Sequence, residues 1–311
     1  MSVMYLRGGT PLEGELAVHG AKNSVLPILA ACLLARGPVT LHNCPRLTDV
    51  AAALGILRHL GCRVGQEGHT ITVDPAGAAG NAISEEQMRA MRSSIIFLGP
   101  LLARTGEAHL TYPGGCELGP RPIDLHLSAI RAMGCEVTED RGIHCQGRPR
   151  GGEVQLSLPS VGATENAMLC AVGASGPTTI ANAAREPEIG DLQNFLNSLG
   201  AHVRGAGSST ITVEGGRELS GGEYTVMGDR IVAATLLSGT AAAGGRVRLR
   251  GVDWRHLATV LSVFHQAGCK VESKLEYVEL ERDRETPLKG VPTIRTAPYP
   301  GFPTDAQAPV M

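Results

Sequence analysis

Between Tyr112 and Pro122 the chain reads Tyr-Pro-Gly-Gly-Cys-Glu-Leu-Gly-Pro-Arg-Pro, which sets one thiol, Cys116, between a glycine pair and the guanidinium of Arg121. Glycines let a backbone move and approach a ligand closely, and prolines stiffen the flanks, so this segment is neither helix nor strand. A thiol acts as nucleophile or proton donor according to its charge surroundings, and a nearby cation draws an anion towards it. The segment is expected to be a reactive lid. Its competing reading is a turn whose cysteine is incidental.

Composition narrows the ligands such a lid would serve. The 311 residues carry a formal charge of −2 with both signs interspersed, so neither a nucleic-acid footprint nor a polybasic membrane surface is indicated. Aromatic residues make up 3% of the chain, which leaves no stacking platforms for bases and demands a core of small aliphatic side chains. Eight cysteines lie scattered without a Cys-x-x-Cys pair, an arrangement that fits a reducing compartment and argues against zinc. Residues 1–10 lack a basic-then-apolar signal, and the longest apolar run, Val25 to Ala35, is too short to span a bilayer. A cytoplasmic protein with small-molecule substrates is expected, and its length suits two domains.

The elements that must position the lid come from a repeat. Four helix endings match: Leu60-Gly61-Cys62, Met133-Gly134-Cys135, Leu199-Gly200-Ala201 and Ala267-Gly268-Cys269. Each closes an amphipathic helix, as the spacing of Leu192, Phe195, Leu196 and Leu199 shows, with the glycine supplying a left-handed C-terminal turn. Two short alternating runs follow each glycine and read as a hairpin. Before each amphipathic helix stands an almost uncharged one, starting near Lys22, Arg92, Gly162 and Asp229, and a short strand such as Val39-Thr40-Leu41 joins the two. The unit is β-α-β-α-β-β. One fully buried helix per unit favours closed packing around a helical interior over an open solenoid. Phe302 to Gln307 resembles a fifth start, and a fifth unit needs roughly 40 more residues to reach its own glycine, so the chain is expected to stop within a repeat.

Seven stretches, Gly20-Ala21-Lys22-Asn23, Met91-Arg92-Ser93-Ser94, Pro113-Gly114-Gly115-Cys116, Arg121-Pro122-Ile123-Asp124-Leu125-His126, Ser160-Val161-Gly162-Ala163-Thr164, Ala184-Arg185-Glu186-Pro187-Glu188-Ile189 and Phe302-Pro303-Thr304-Asp305, together resemble the enolpyruvyl transferases. Within that family the likeness is to the members that use UDP-N-acetylglucosamine, and it spans nearly the whole chain. It implies an α/β fold of inside-out barrel domains, three units each. Residues 22–228 would be a complete domain, and residues 1–21 plus 229–311 the start of a second.

The implied reaction adds the 3′-hydroxyl of UDP-N-acetylglucosamine to C2 of phosphoenolpyruvate, protonates C3 and then eliminates phosphate, the first committed step of peptidoglycan synthesis. By resemblance, Lys22, Asn23 and Arg121 hold phosphoenolpyruvate. Lys22 at the start of a buried helix also has free N–H groups and a helix dipole to offer an anion, while its plain reading is a solvated lysine. Cys116 matches the residue that protonates C3 and that fosfomycin alkylates. Asp305 matches the carboxylate at the sugar 3′-hydroxyl, with a helix N-cap as the alternative. Arg92, Arg121, Pro122, Ile123, Asp124, Leu125, Ser160, Val161, Gly162 and Asp305 are implied to contact the nucleotide sugar. Arg92 also reads as half of a surface ion pair, His126 as a packing residue, and Arg185, Glu186 and Glu188 as a structural charge cluster. Some relatives carry a lysine two residues before the serine, where this chain has Leu158, so that contact is not carried over. No metal or cofactor is called for, and the sequence gives no oligomeric state.

Two rival readings accompany this one. The sister transferase that uses shikimate 3-phosphate shares the repeats, but the Pro-Gly-Gly-Cys lid argues against it. A non-catalytic fragment that binds nucleotide sugar is the other, since the family's remaining phosphoenolpyruvate arginines would lie beyond residue 311. On that ground negligible turnover is expected of the isolated chain.

Overall fold

The computed structural model describes residues 3–5, 8–113 and 123–311, so Cys116, Arg121 and Pro122 lie outside the described residues. Strand β1 (Leu12–Ala17) and helix α1 (Lys22–Ala31) come first, then β2 (Val39–His42), α2 (Thr48–His59) and the hairpin β3 (Arg63–Glu67) and β4 (Thr70–Asp74). A short α3 (Glu85–Ala90) leads to α4 (Leu98–Thr105), β5 (Glu107–Leu110), α5 (Asp124–Ala132) and the hairpin β6 (Glu136–Glu139) and β7 (Ile143–Gln146). The third pass is β8 (Gly152–Gln155), α6 (Val161–Val172), β9 (Thr178–Ala181), α7 (Pro187–Ser198), β10 (His202–Arg204) and β11 (Thr210–Glu214). After β12 (Gly222–Thr225) come α8 (Arg230–Ala243), β13 (Gly245–Arg250), α9 (Ala258–Gln266), the hairpin β14 (Lys270–Ser273) and β15 (Tyr277–Arg282), and α10 (Gln307–Val310).

The glycine landmarks explain why each helix stops where it does. φ is 100° at Gly61, 85° at Gly134, 107° at Gly200 and 97° at Gly268, a backbone that side-chain-bearing residues resist. The chain turns there into the hairpin, whose strands pair antiparallel. In the third unit the first strand, β8, lies parallel to the second, β9, while the opening strands of the first and fourth units are exchanged, β12 lying parallel to β2 and β1 to β13, giving sheet orders β12-β2-β4-β3, β10-β11-β9-β8 and β1-β13-β15-β14. The sheet β5-β7-β6 has three strands, with an isolated parallel bridge between Ala82 and His109 in the fourth place.

The chain divides into two compact units, residues 22–226 and residues 1–21 with 227–311. In the first, β12 at the unit's end pairs with β2 near its start, Gly222 opposite Val39, so the series of sheets closes on itself rather than running on as a stack. Helices α1, α4 and α6 form its interior: Ser24 to Ala31, Leu98 to Ala103 and Ala163 to Val172 are all buried. Small residues allow this. A Cβ added at Gly99 on α4 would lie 2.5 Å from the backbone oxygen of Asn166 on α6, closer than atoms can approach. Every large side chain in such an interior matters, and truncating Leu29 or Leu169 to alanine costs about 2–5 kcal/mol. The smaller unit has its own core around Leu237, Leu249, Val260, Val278 and Leu280. Its α8 is N-capped by Asp229, which accepts from Ile231 N at 2.8 Å and Val232 N at 3.1 Å.

One expected helix start shifts. Arg92 lies in a turn, and a 3-10 segment over Ser94–Phe97 precedes α4, with Ile96 N donating to Ser93 O at 3.0 Å. Pro100 in the first turn of α4 has no N–H to donate back to Ile96, which favours the tighter ladder ahead of it. No described helix is long and apolar enough to cross a membrane.

Candidate functional site

Within residues 22–226 the amino-terminal halves of five helices are tied to one another by polar side chains. Ser24, on the first turn of α1, donates to Asp191 on α7. Tyr224 donates to the other oxygen of the same carboxylate at 2.6 Å, and burial followed by that carboxylate pushes the phenol's pKa up. Thr164 on α6 accepts from Ala184 N at 3.0 Å, anchoring the segment that leads into α7. Asn166, two residues further along, is fully buried: it accepts from Gly99 N at 2.7 Å, donates to Ile95 O at 2.8 Å and bonds His126 Nδ1 on α5 at 2.8 Å. Burial pushes His126 down to about 4, against the opposing pull of Asp124, so its ring is neutral. A Cβ on Gly162 would meet that ring at 3.0 Å, so the glycine is what lets α5 and α6 start side by side.

These ties fix where the expected site residues stand. Lys22 opens α1, exposed, with its Nζ 3.5 Å from Asp49, and Asn23 beside it is half-buried. Ile123 is the N-cap residue of α5, and Asp124 and Leu125 form its first turn. Ser160 N-caps α6, its hydroxyl accepting from Ala163 N at 3.4 Å, while Val161 and Gly162 start that helix half-buried. A helix start presents N–H groups that lack intrahelical partners and a positive dipole end, the arrangement that suits a phosphate or carboxylate. Arg92 is exposed and makes no hydrogen bond or ion pair with the described residues, so it is not half of a surface ion pair among them. Leu158 is 67% exposed beside the start of α6.

Asp305 belongs to the other unit, on the short 3-10 segment Thr304–Ala306, and is exposed. Pro303 is the N-cap residue there and no side chain caps the segment, so Asp305 is not a helix cap.

Sequence reasoning passed over Glu165. It is 6% exposed on α6, its Oε1 has no hydrogen-bond partner, and Oε2 of nearby Glu186 is buried in the same condition. Burial first, then Glu188 and Glu186, holds the Glu165 carboxyl well above the usual range, so it keeps its proton. The available signal was a charged residue next to Asn166 inside an otherwise apolar helix. The seven described cysteines are free and buried. Burial pushes Cys44 up to about 12 and Cys62 up to about 11, which makes these thiols poor nucleophiles.

A family model described as EPSP synthase (3-phosphoshikimate 1-carboxyvinyltransferase) matches residues 6–311. The chain is 47% identical over 313 residues to UDP-N-acetylglucosamine 1-carboxyvinyltransferase 2 of Caldanaerobacter subterraneus subsp. tengcongensis, covering 100% of this chain and 75% of that protein. Against UDP-N-acetylglucosamine 1-carboxyvinyltransferase of Cellvibrio japonicus the identity is 43% over 315 residues, with 100% and 74% covered. Among solved structures, the enolpyruvyl transferase NikO from Streptomyces tendae superposes with a TM-score of 0.83 at 23% identity, over 97% of this chain and 72% of that one. EPSP synthase from Acinetobacter baumannii gives 0.71 at 21% identity, over 89% and 66%. These two likenesses concern the fold.

Proposed function

The chain belongs to the EPSP synthase family of enolpyruvyl transferases, and from that premise we propose that it transfers the enolpyruvyl group of phosphoenolpyruvate to the 3′-hydroxyl of UDP-N-acetylglucosamine. The observation that carries the choice of acceptor is the name shared by its curated relatives over the full length of this chain. The joined helix starts support it, because both substrates are anions and the starts of α1, α5 and α6 offer backbone N–H groups and the Lys22 ammonium.

Each residue then has a task. Lys22, Asn23 and Arg121 bind phosphoenolpyruvate. Arg92, Arg121, Pro122, Ile123, Asp124, Leu125, Ser160, Val161 and Gly162 bind the nucleotide sugar. Asp305 takes the proton from the 3′-hydroxyl as its oxygen bonds to C2, and the Cys116 thiol gives a proton to C3. Loss of a C3 proton then re-forms the double bond as the C2–O bond to phosphate breaks, leaving the enolpyruvyl ether and inorganic phosphate. Residues 22–228 act as a complete three-repeat domain, and residues 1–21 with 229–311 begin a second. The reaction serves peptidoglycan synthesis in the cytoplasm, and Cys116 is the thiol that fosfomycin alkylates.

Two measurements test this. UDP-N-acetylglucosamine, and not shikimate 3-phosphate, should raise the melting temperature in proportion to the logarithm of its concentration. Fosfomycin should add to Cys116 faster when the nucleotide sugar is present, read by mass spectrometry, with the seven buried thiols unlabelled. Stabilisation or phosphate release with shikimate 3-phosphate alone would assign the chain to the sister activity.

A further inference from the structure

The outer face of the sheet β5-β7-β6 carries a group of side chains that the proposed reaction does not use. His109 on β5 stands directly opposite His144 on β7, so both imidazoles project from one face. Their Nδ1 atoms are 2.7 Å apart and the rings meet edge to face, with centroids separated by 5.0 Å. Glu107, two residues before His109 and therefore on the same face, places Oε1 2.8 Å from His109 Nε2. Asn81 holds the same carboxylate from its other oxygen at 2.9 Å.

Proton accounting gives this arrangement a direction. A carboxylate only accepts, so Nε2 of His109 bears its hydrogen and the neutral ring's lone pair is on Nδ1. That lone pair points at Nδ1 of His144. His144 must supply a proton to the contact, or both nitrogens must share some other cation. We propose that His109 and His144 form a two-histidine surface site for a divalent transition-metal ion, with Glu107 as the outer carboxylate that orients His109.

The geometry suits such an ion. Metal–imidazole bonds of about 2.0–2.1 Å at a tetrahedral angle separate two ligand nitrogens by roughly 3.4 Å, and a small rotation of two half-exposed rings provides that opening. A carboxylate on the far nitrogen of a ligating histidine fixes its tautomer and raises its basicity. Because Glu107 contacts that far side, it is no ligand, and among the described residues no three side chains enclose a metal. Water completes the coordination. Paired imidazoles select zinc, nickel or copper over magnesium and calcium, which prefer oxygen.

Titration of the full chain with Ni²⁺ by calorimetry at neutral pH tests the site. Wild type should bind one ion saturably, His109→Ala and His144→Ala should each weaken binding at least tenfold, and Glu107→Gln should weaken it severalfold. His202→Ala, which removes an exposed imidazole paired with Glu214 among the described residues, should leave affinity unchanged. All four positions lie on sheet surfaces, so circular dichroism should match wild type. Absence of saturable binding in wild type, or wild-type affinity in both His109→Ala and His144→Ala, overturns the proposal, as does an equal loss in His202→Ala.

Discussion

Glu165 in residues 22–226 and Glu279 in the smaller unit are each 6% exposed, and they are held in opposite ionisation states. Glu279 lies on the outer face of β15, roofed by Arg246 at 2.7 Å and Arg248 at 2.8 Å. Burial pushes its carboxyl up, but the two arginine hydrogen bonds outweigh that and leave it below the usual range. Glu165 sits inside the helical interior, where its charged neighbours Glu186 and Glu188 add to the effect of burial. Coverage alone therefore does not decide a carboxylate's charge; the partners do. The smaller unit spends its charges on pairing at a sheet surface, whereas the larger one keeps two carboxyl groups without hydrogen bonds close to the joined helix starts, a pattern common at functional sites.

The comparison is broken most severely at Asn166, whose side chain keeps the rest of that interior satisfied. Asn166→Leu preserves volume but strands Gly99 N, Ile95 O and His126 Nδ1 in a dry setting. At about 1–3 kcal/mol for each unsatisfied group, partly recovered by relaxation, the loss should be about 4 kcal/mol in denaturant unfolding. A loss below 1 kcal/mol would mean that water reaches these groups and that the interior is not dry.

Glu165→Gln sharpens the contrast directly, since glutamine imitates the protonated acid. A carboxyl whose folded pKa is raised contributes fully below its unfolded value and loses that contribution as pH climbs through the folded one. Wild type and variant should therefore be equally stable near pH 4. The variant should gain as pH rises, reaching about 1–3 kcal/mol by pH 8, the scale of an unsatisfied buried polar group. Parallel stability curves across that range would show that folding does not raise the Glu165 pKa.

Much of the scaffold could be read from the residues and part of this interior could not, for separable reasons. Gly61, Gly134, Gly200 and Gly268 announced four helix ends because a left-handed turn is a local demand that one residue type meets. The strands that open each sheet were less legible: β12 pairs with β2 from the far end of the unit, and no local pattern encodes a parallel partner. Arg92 was expected at a helix start and lies in a turn, because Pro100 acts eight residues downstream. Family motifs pointed to Lys22 and to Ser160 through Gly162, whose helix ends are now joined through Thr164, Asn166 and Asp191. Glu165 went unnoticed because a single acidic residue gives no sequence sign of whether a cation faces it.

The smallest expected effect is at Glu279, although its two ion pairs are the better formed. Arg246 and Arg248 have side chains 57% and 31% exposed, so water competes for both guanidinium groups and screens the attraction. Arg248 also rests 4.2 Å from the centre of the Tyr277 ring, a contact that survives loss of the carboxylate. Glu279→Gln should thus cost only about 1 kcal/mol at neutral pH and less in high salt. The pH dependence must run opposite to that of Glu165: a lowered folded pKa gives stability that is present above the ordinary glutamate value and disappears as pH falls through the folded one. Both pairs should converge on acidification, but on raising the pH wild type should rise above Glu279→Gln, whereas at Glu165 it should fall below the glutamine variant. If wild type instead falls below Glu279→Gln as the pH rises, the arginines do not hold Glu279 ionised, and the two carboxyls differ in depth rather than in partnership.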